Sequence, residues 1–202
     1  MRRHKREQRY THPRILIICE GETEEQYFKG ILQDADLKKQ LSAIRVSVIT
    51  GKDSSPLKLV KEAIKKRAAE KKEGNPFKHV WVIFDHDHHP NRKEAWEAAK
   101  KNQIQIGFSS IAFEQWFLLH FSKSAKAFAT PNQLQKELLK FYPTYQKGQA
   151  NDFAFLKNNL VKAFTNANWL RTIKLQENSL VYDQNPWTDV DILVEKLING
   201  NF

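Results

Sequence analysis

Two apolar runs dominate the chain, and both end abruptly in acids. Ile15-Leu16-Ile17-Ile18-Cys19 stops at Glu20-Gly21-Glu22, and Val80-Trp81-Val82-Ile83-Phe84 stops at Asp85-His86-Asp87-His88-His89. Neither run alternates with polar residues, so each predicts a strand buried on both faces, over Arg14–Cys19 and His79–Phe84. Between them, Tyr27, Phe28, Ile31 and Leu32 lie on one face of a helix predicted from Glu22 to about Gln40. Thr23 followed by Gln26 has the form of a capping box at its start. Ala43–Thr50 alternates as a strand does. Pro56 opens a helix to about Lys72, with Leu57, Val60 and Ile64 at helical spacing, and Gly74-Asn75-Pro76 ends it. Asn91–Lys101 reads as a short helix, Ile104–Ser109 as a strand, and Ile111–Phe121 as a nearly all-apolar helix.

Strands and helices thus alternate four times, which predicts an α/β fold with an open parallel sheet covered by helices. Beyond Phe121 the pattern turns helical. Leu134–Phe141, Asp152–Ala167 and Asp189–Ile198 are joined by polar, proline-containing loops. The expected organisation is a basic arm over residues 1–12, an α/β core over 13–121, and a helical extension packed on that core over 122–202.

In an open parallel sheet, ligands bind beyond the carboxyl ends of the strands. Glu20 and Asp85 both lie there, and their carboxylates converge if their strands are neighbours. Asp87 can turn inward two residues later, and Glu24 sits one helical turn after Glu20. Several carboxylates in one place repel unless a cation neutralises them, and Mg²⁺ or Mn²⁺ suits oxygen ligands of this kind. Gly21 is read as a sharp turn open to a phosphate. Glu22 and Glu25 are read as first-turn acids favoured by the helix dipole. The histidines after Asp85 cannot all face one ion. One serves as a phosphate contact or an outer partner of the site, and the others are loop residues. His120 is read as packed or at the surface, not as a ligand. Glu114 stands inside an otherwise apolar stretch, where a carboxylate needs a partner. It either pairs with a basic residue or points at the acidic crest. The Trp and Phe residues around it are read as core and not as a platform for bases.

Charge adds a partner. The 202-residue chain carries 33 Lys and Arg against 23 Asp and Glu, a net charge of +10. Nucleic acid is the first candidate and an acidic protein surface the second. Arg3 lies in the basic arm. Lys65, Lys66 and Arg67 lie in a lysine-rich run from Lys58 to Lys72, which is either a solvated helix face or a phosphate-binding one. Lys52 follows the second strand as a phosphate clamp or a solvent-exposed loop residue. A single cysteine excludes a disulfide framework and a cysteine-based zinc site. It fits a cytoplasmic setting. No apolar run reaches the roughly 20 residues that span a bilayer, and no apolar segment follows the basic start as a secretory signal requires.

Four segments in order resemble the RloB-like family, whose core resembles the Toprim fold. They are Ile17-Ile18-Cys19-Glu20-Gly21-Glu22-Thr23-Glu24, Phe84-Asp85-His86-Asp87, the stretch from Ser109 to Phe121, and Asn185-Pro186-Trp187-Thr188-Asp189-Val190 with the helix after it. The resemblance implies a parallel sheet of about four strands between helices. Residue by residue, it implies that Glu20 corresponds to the Toprim glutamate and Asp85 and Asp87 to the paired aspartates that handle Mg²⁺. Glu24 corresponds to the second acid of the Glu-Gly-x-Thr-Glu form of OLD-type nucleases. The family is associated with restriction and abortive-infection loci, often beside an ABC- or AAA-type ATPase. The activity implied is phosphodiester hydrolysis of DNA or RNA in anti-phage defence, since no nucleophilic tyrosine, DNA-gate domain or primase-like zinc module stands out. A non-catalytic subunit that binds nucleic acid or a partner ATPase is the alternative.

Overall fold

A computed structural model describes residues 12–86 and 91–202 of the chain. Arg3 and the rest of the basic arm to residue 11, and Asp87, His88 and His89, lie outside the described residues. The elements in order are β1 (Arg14–Cys19), α1 (Glu22–Gln33), α2 (Lys38–Leu41), β2 (Arg45–Thr50), α3 (Pro56–Lys72), β3 (His79–Asp85), α4 (Arg92–Lys101), β4 (Gln105–Ser110), α5 (Glu114–Leu119), α6 (Pro131–Leu138), α7 (Asp152–Leu156), α8 (Leu160–Lys174), β5 (Trp187–Thr188) and α9 (Val190–Asn199). The sheet runs β2-β1-β3-β4-β5. The first four strands are parallel, and β5 joins the edge antiparallel, Ser109 opposite Thr188 and Ser110 opposite Trp187. This is the predicted α/β fold, with four parallel strands between helices, consistent with a Toprim-like core; the antiparallel fifth strand is an addition that the alternation does not show.

The unbroken apolar runs have a direct explanation. In β1, Ile15, Ile17 and Cys19 face a core shared with Tyr27, Phe28, Trp116 and the α8–α9 side, while Leu16 and Ile18 face a second core with Leu59, Val60 and Ala63 of α3 and Ala95 and Ala99 of α4. Trp81 and Ile83 of β3 join the first core, and Val80, Val82 and Phe84 the second. A strand covered on both faces has no polar side to show. The first core also takes Leu138, Phe153, Leu170, Leu193 and Leu197. The segment after Phe121 therefore completes the core of the sheet and supplies its fifth strand.

Several boundaries move for local reasons. The first helix ends at Gln33, not near Gln40. Asp34 is extended there and its carboxylate accepts the Asp36 backbone N–H at 3.0 Å, while Lys157 ties Asp34 and Asp36 down at 2.9 and 2.7 Å. The cap of α1 is Gly21 without a side-chain bond; Thr23 instead accepts the Gly148 N–H at 3.0 Å, so no capping box forms. The buried face of α3 is Pro56, Leu59, Val60 and Ala63, with Leu57 and Ile64 only partly covered. The apolar stretch over residues 111–121 is helical only over Glu114–Leu119, because β4 extends to Ser110 and the next three residues turn the chain. Among the described residues, no helix is long and apolar enough to cross a membrane.

Candidate functional site

The ends of all four parallel strands meet around one cavity of about 400 Å³. The chain just after β1 supplies Glu20 and Gly21, the loop after β2 supplies Ser54, β3 supplies Asp85, the turn after β4 supplies Phe113, and α5 opens with Glu114. The first turn of α1 adds Glu22, Thr23 and Glu24, and the loop after α6 adds Lys147 and Gly148. Position follows from register. β1 and β3 are hydrogen-bonded neighbours, with Cys19 opposite Ile83, so the residues that follow each strand stand side by side. The Glu20 N–H donates to the Ile83 carbonyl at 2.9 Å, and the Asp85 N–H donates back to Oε2 of Glu20 at 3.0 Å. That reciprocal pair fixes Glu20 over the gap between the strands.

Glu24 is 5% exposed and Glu114 3%. Burial and the nearby Asp85 carboxylate push the Glu24 carboxyl from its ordinary 4.5 up to about 8, with Glu114 adding to the effect and Lys147 opposing it. Glu114 lines the cavity, and it bonds a tyrosine rather than a basic residue: the Tyr145 hydroxyl donates to its Oε1 at 2.8 Å. Gly21 has an ordinary extended backbone (φ −132°, ψ 178°), so no sharp turn demands glycine there. Its role is room, since a Cβ at this position would stand 3.0 Å from Oε2 of Glu24. Gly148 differs. Its φ of +75° is a left-handed conformation that favours glycine, and a Cβ there would meet Oε2 of Glu22 at 3.0 Å.

The cavity thus collects Glu20, Glu24, Asp85 and Glu114. Glu22, read from sequence as a helix-start acid, also lines it, whereas Glu25 pairs with Lys29 at 3.1 Å. His120 stands elsewhere, fully buried, with Nδ1 at 3.0 Å from the Trp116 carbonyl. The basic residues divide. Lys52, Lys65 and Lys66 line a second cavity of about 430 Å³ with Lys58, Lys61, Asp53 and Glu62. Arg67 turns away toward the Gln103 carbonyl at 3.5 Å. The loop carrying Lys52, Asp53 and Ser54 separates the two cavities, since Ser54 faces the acidic one and its two predecessors face the basic one. Sequence reasoning missed Lys147, Gly148 and Tyr145. Their one signal is a glycine in a polar stretch, Tyr145-Gln146-Lys147-Gly148, which reads as a plain linker.

The donor chemistry of the acidic cavity suits a hard divalent cation: its acids offer carboxylate oxygens alone, and burial, with the nearby carboxylates adding to it, leaves Glu24 reluctant to ionise. Among the described residues, no group of three or more His, Cys, Asp or Glu side chains stands close enough to hold a metal ion. The acids share a cavity without forming a closed ligand cage, and Asp87 lies outside the described residues.

No match is found among curated proteins or among solved structures. The family profile described as RloB-like protein matches residues 15–197. That span begins in β1, ends in α9 and includes every wall of the acidic cavity, and on it the chain belongs to the RloB-like family.

Proposed function

We propose that the chain is a metal-dependent nuclease of bacterial anti-phage defence that hydrolyses phosphodiester bonds and works with an ABC- or AAA-type ATPase. The observation that carries this reading is the convergence of Glu20, Glu24, Asp85 and Glu114 on one cavity at the carboxyl ends of the parallel strands. Glu20 and Asp85, with Asp87, would hold Mg²⁺ or Mn²⁺, and Glu114, which lines the same cavity, would serve as a further carboxylate ligand once the cation draws the acids together. When bound, the cation would lower the pKa of a water and offset charge building on the phosphate. Glu24 one turn away is the candidate general base, since a carboxyl raised toward neutrality is matched to proton transfer near pH 7. Lys147 brings a positive charge to an otherwise acidic wall and would meet the phosphate. Lys52, Lys65 and Lys66 in the neighbouring cavity would hold the nucleic-acid backbone without reading its sequence, and Arg67 and the basic arm with Arg3 would add long-range attraction. The defence role and the ATPase rest on the family resemblance alone.

The test is a panel of DNA and RNA substrates with Mg²⁺ or Mn²⁺, using Asp85→Ala with Asp87→Ala as control. Cleavage is expected with the parent chain and abolished in the double variant, while the fold and most binding persist. A double variant that cuts as well as the parent ends the metal-site reading.

One observation favours a second reading. Glu20 already accepts the Asp85 N–H and Glu114 the Tyr145 hydroxyl, so both carboxylates are engaged within the protein. On this reading the chain is a non-catalytic subunit that binds nucleic acid or its ATPase. Cation binding without turnover on any substrate, alone and with the ATPase, selects it.

A further inference from the structure

The rings of Phe121, Phe141 and Phe155 form a cluster at the surface that rests on the core through Phe121 and the buried Tyr142. Tyr27, Phe28, Phe113, Phe117 and Phe153 meet edge-on or tilted. Among the described residues, the two parallel stacks are Phe121 on Phe141, with centroids 5.8 Å apart and planes 4° apart, and Tyr142 on Phe155, at 3.9 Å and 11°. Phe121 also lies 6.2 Å from Phe155, which joins the two stacks. Phe141 is 42% exposed and Phe155 45%. Large apolar rings left this open mark a binding surface when they are contiguous.

The rim is cationic. Lys140, exposed beside Phe141, shares Glu137 with Lys126. Lys162 is exposed, with its ammonium held 2.6 Å from the Phe121 carbonyl. Stacked rings with lysines beside them fit an unpaired base and its phosphate better than they fit an apolar protein face. The cluster also connects to the acidic cavity. Tyr142 of the stack lies 5.6 Å from the Tyr145 ring, and Tyr145 bonds Glu114 in the cavity wall.

We propose that Phe121, Phe141 and Phe155 form a base-stacking platform for single-stranded nucleic acid, flanked by Lys140 and Lys162. The inference rests on the nucleic-acid part of the proposed function and names its substrate class as unpaired strands.

The test measures binding in EDTA, so no cleavage enters. Probes are a 20-residue single-stranded oligonucleotide carrying 2-aminopurine, the same strand with abasic sites, and a duplex. The full chain is compared with Phe141→Leu/Phe155→Leu and with Phe141→Tyr/Phe155→Tyr, each checked by thermal melting. The Leu pair should weaken single-strand binding at least about tenfold. It should also remove the 2-aminopurine quenching and leave duplex binding unchanged, and the Tyr pair should restore both. Equal affinity of the parent for normal and abasic strands overturns the platform, as does parallel weakening on single strand and duplex. A parent that self-associates while the Leu pair does not shows a protein interface instead, and also overturns it. Base-dependent binding without metal-dependent cleavage leaves the platform standing and removes the nuclease. Cleavage with base-independent binding does the reverse, and absence of any nucleic-acid binding removes both.

Discussion

The Tyr145 hydroxyl donates to Oε1 of Glu114 at 2.8 Å, joining residues 31 positions apart. Both side chains are buried. Burial, with Glu114 nearby, pushes the Tyr145 hydroxyl pKa well above its ordinary value, so it stays protonated and keeps donating across any assay pH. Tyr145→Phe removes the donor with little change of volume and leaves a buried carboxylate short of a partner. Loss of stability of about 1–3 kcal/mol is expected. Urea denaturation with an unchanged m value checks it, and equal midpoints for parent and variant would show that the bond contributes nothing.

Glu24 gives the second prediction. Its carboxyl titrates near 8 when folded against an ordinary 4.5, because burial and Asp85 oppose ionisation. Between those values the folded state binds a proton that the unfolded state has released. Stability linked to Glu24 is therefore full below pH 4.5 and is lost as pH rises through 8, at up to about 1.4 kcal/mol per pH unit. Glu24→Gln, which cannot ionise, should gain on the parent from pH 5 to pH 8.5 in EDTA. Mn²⁺ binding to the parent near pH 7 should in turn release protons, read by calorimetry in buffers of different ionisation enthalpy. Stability curves that stay parallel for parent and Glu24→Gln would refute the assignment.

How much of this is legible in the sequence depends on the range of the interaction. Ile15–Cys19 and Val80–Phe84 are strands whatever their neighbours, because no polar face interrupts them, and acids at their ends must emerge at one edge once β1 and β3 pair. That makes Glu20 and Asp85 readable as neighbours. The end of α1 is not readable, since the helical spacing does not show that Asp34 turns extended to accept the Asp36 N–H, nor that Lys157 meets both acids from far along the chain. Trp187–Thr188 is too short to show a period of two. Lys147 reaches the cavity wall, and Tyr145 reaches Glu114 behind it, on a loop whose Gly148 docks on Thr23, a bond spanning 125 positions. Phe121 reads in sequence as the end of a core helix; the helix stops at Leu119 and leaves the ring half-buried at the surface.

The lysine groove yields a prediction about salt. Lys58, Lys61 and Lys65 fall at spacings of three and four on α3, so they form one stripe along the helix. Lys58 is partly spoken for by Asp53 at 2.7 Å. Lys61→Ala with Lys65→Ala should weaken nucleic-acid binding on every sequence alike. It should also flatten the dependence of log K on log salt by about one for each phosphate that is no longer neutralised. A filter-binding series from low to moderate salt checks this. An unchanged slope would return the stripe to the status of a solvated helix face.

His120 provides a control that lines neither cavity. Burial pushes its imidazole from an ordinary 6.5 down to about 4, against the opposing pull of the Trp116 and Phe117 carbonyls. Nδ1 lies 3.0 Å from the Trp116 carbonyl, and the ring meets the Trp116 indole edge-on at 4.5 Å. An N–H facing a carbonyl donates to it, which fixes the neutral tautomer with the proton on Nδ1. Between pH 6.5 and 4 the unfolded chain takes up a proton that the folded chain refuses. The stability that His120 contributes is thus fully present above 6.5 and is lost as pH falls through 4, again at up to about 1.4 kcal/mol per pH unit. His120→Gln can offer an amide N–H to the same carbonyl and has no proton to gain. The variant should start less stable at pH 7.5, because the ring's packing is gone, yet decline less steeply down to pH 4.5. Every other titrating group is common to both chains and cancels in the difference. Denaturation at five or six pH values therefore isolates the histidine, and two curves of equal slope would show that His120 does not resist protonation in the fold.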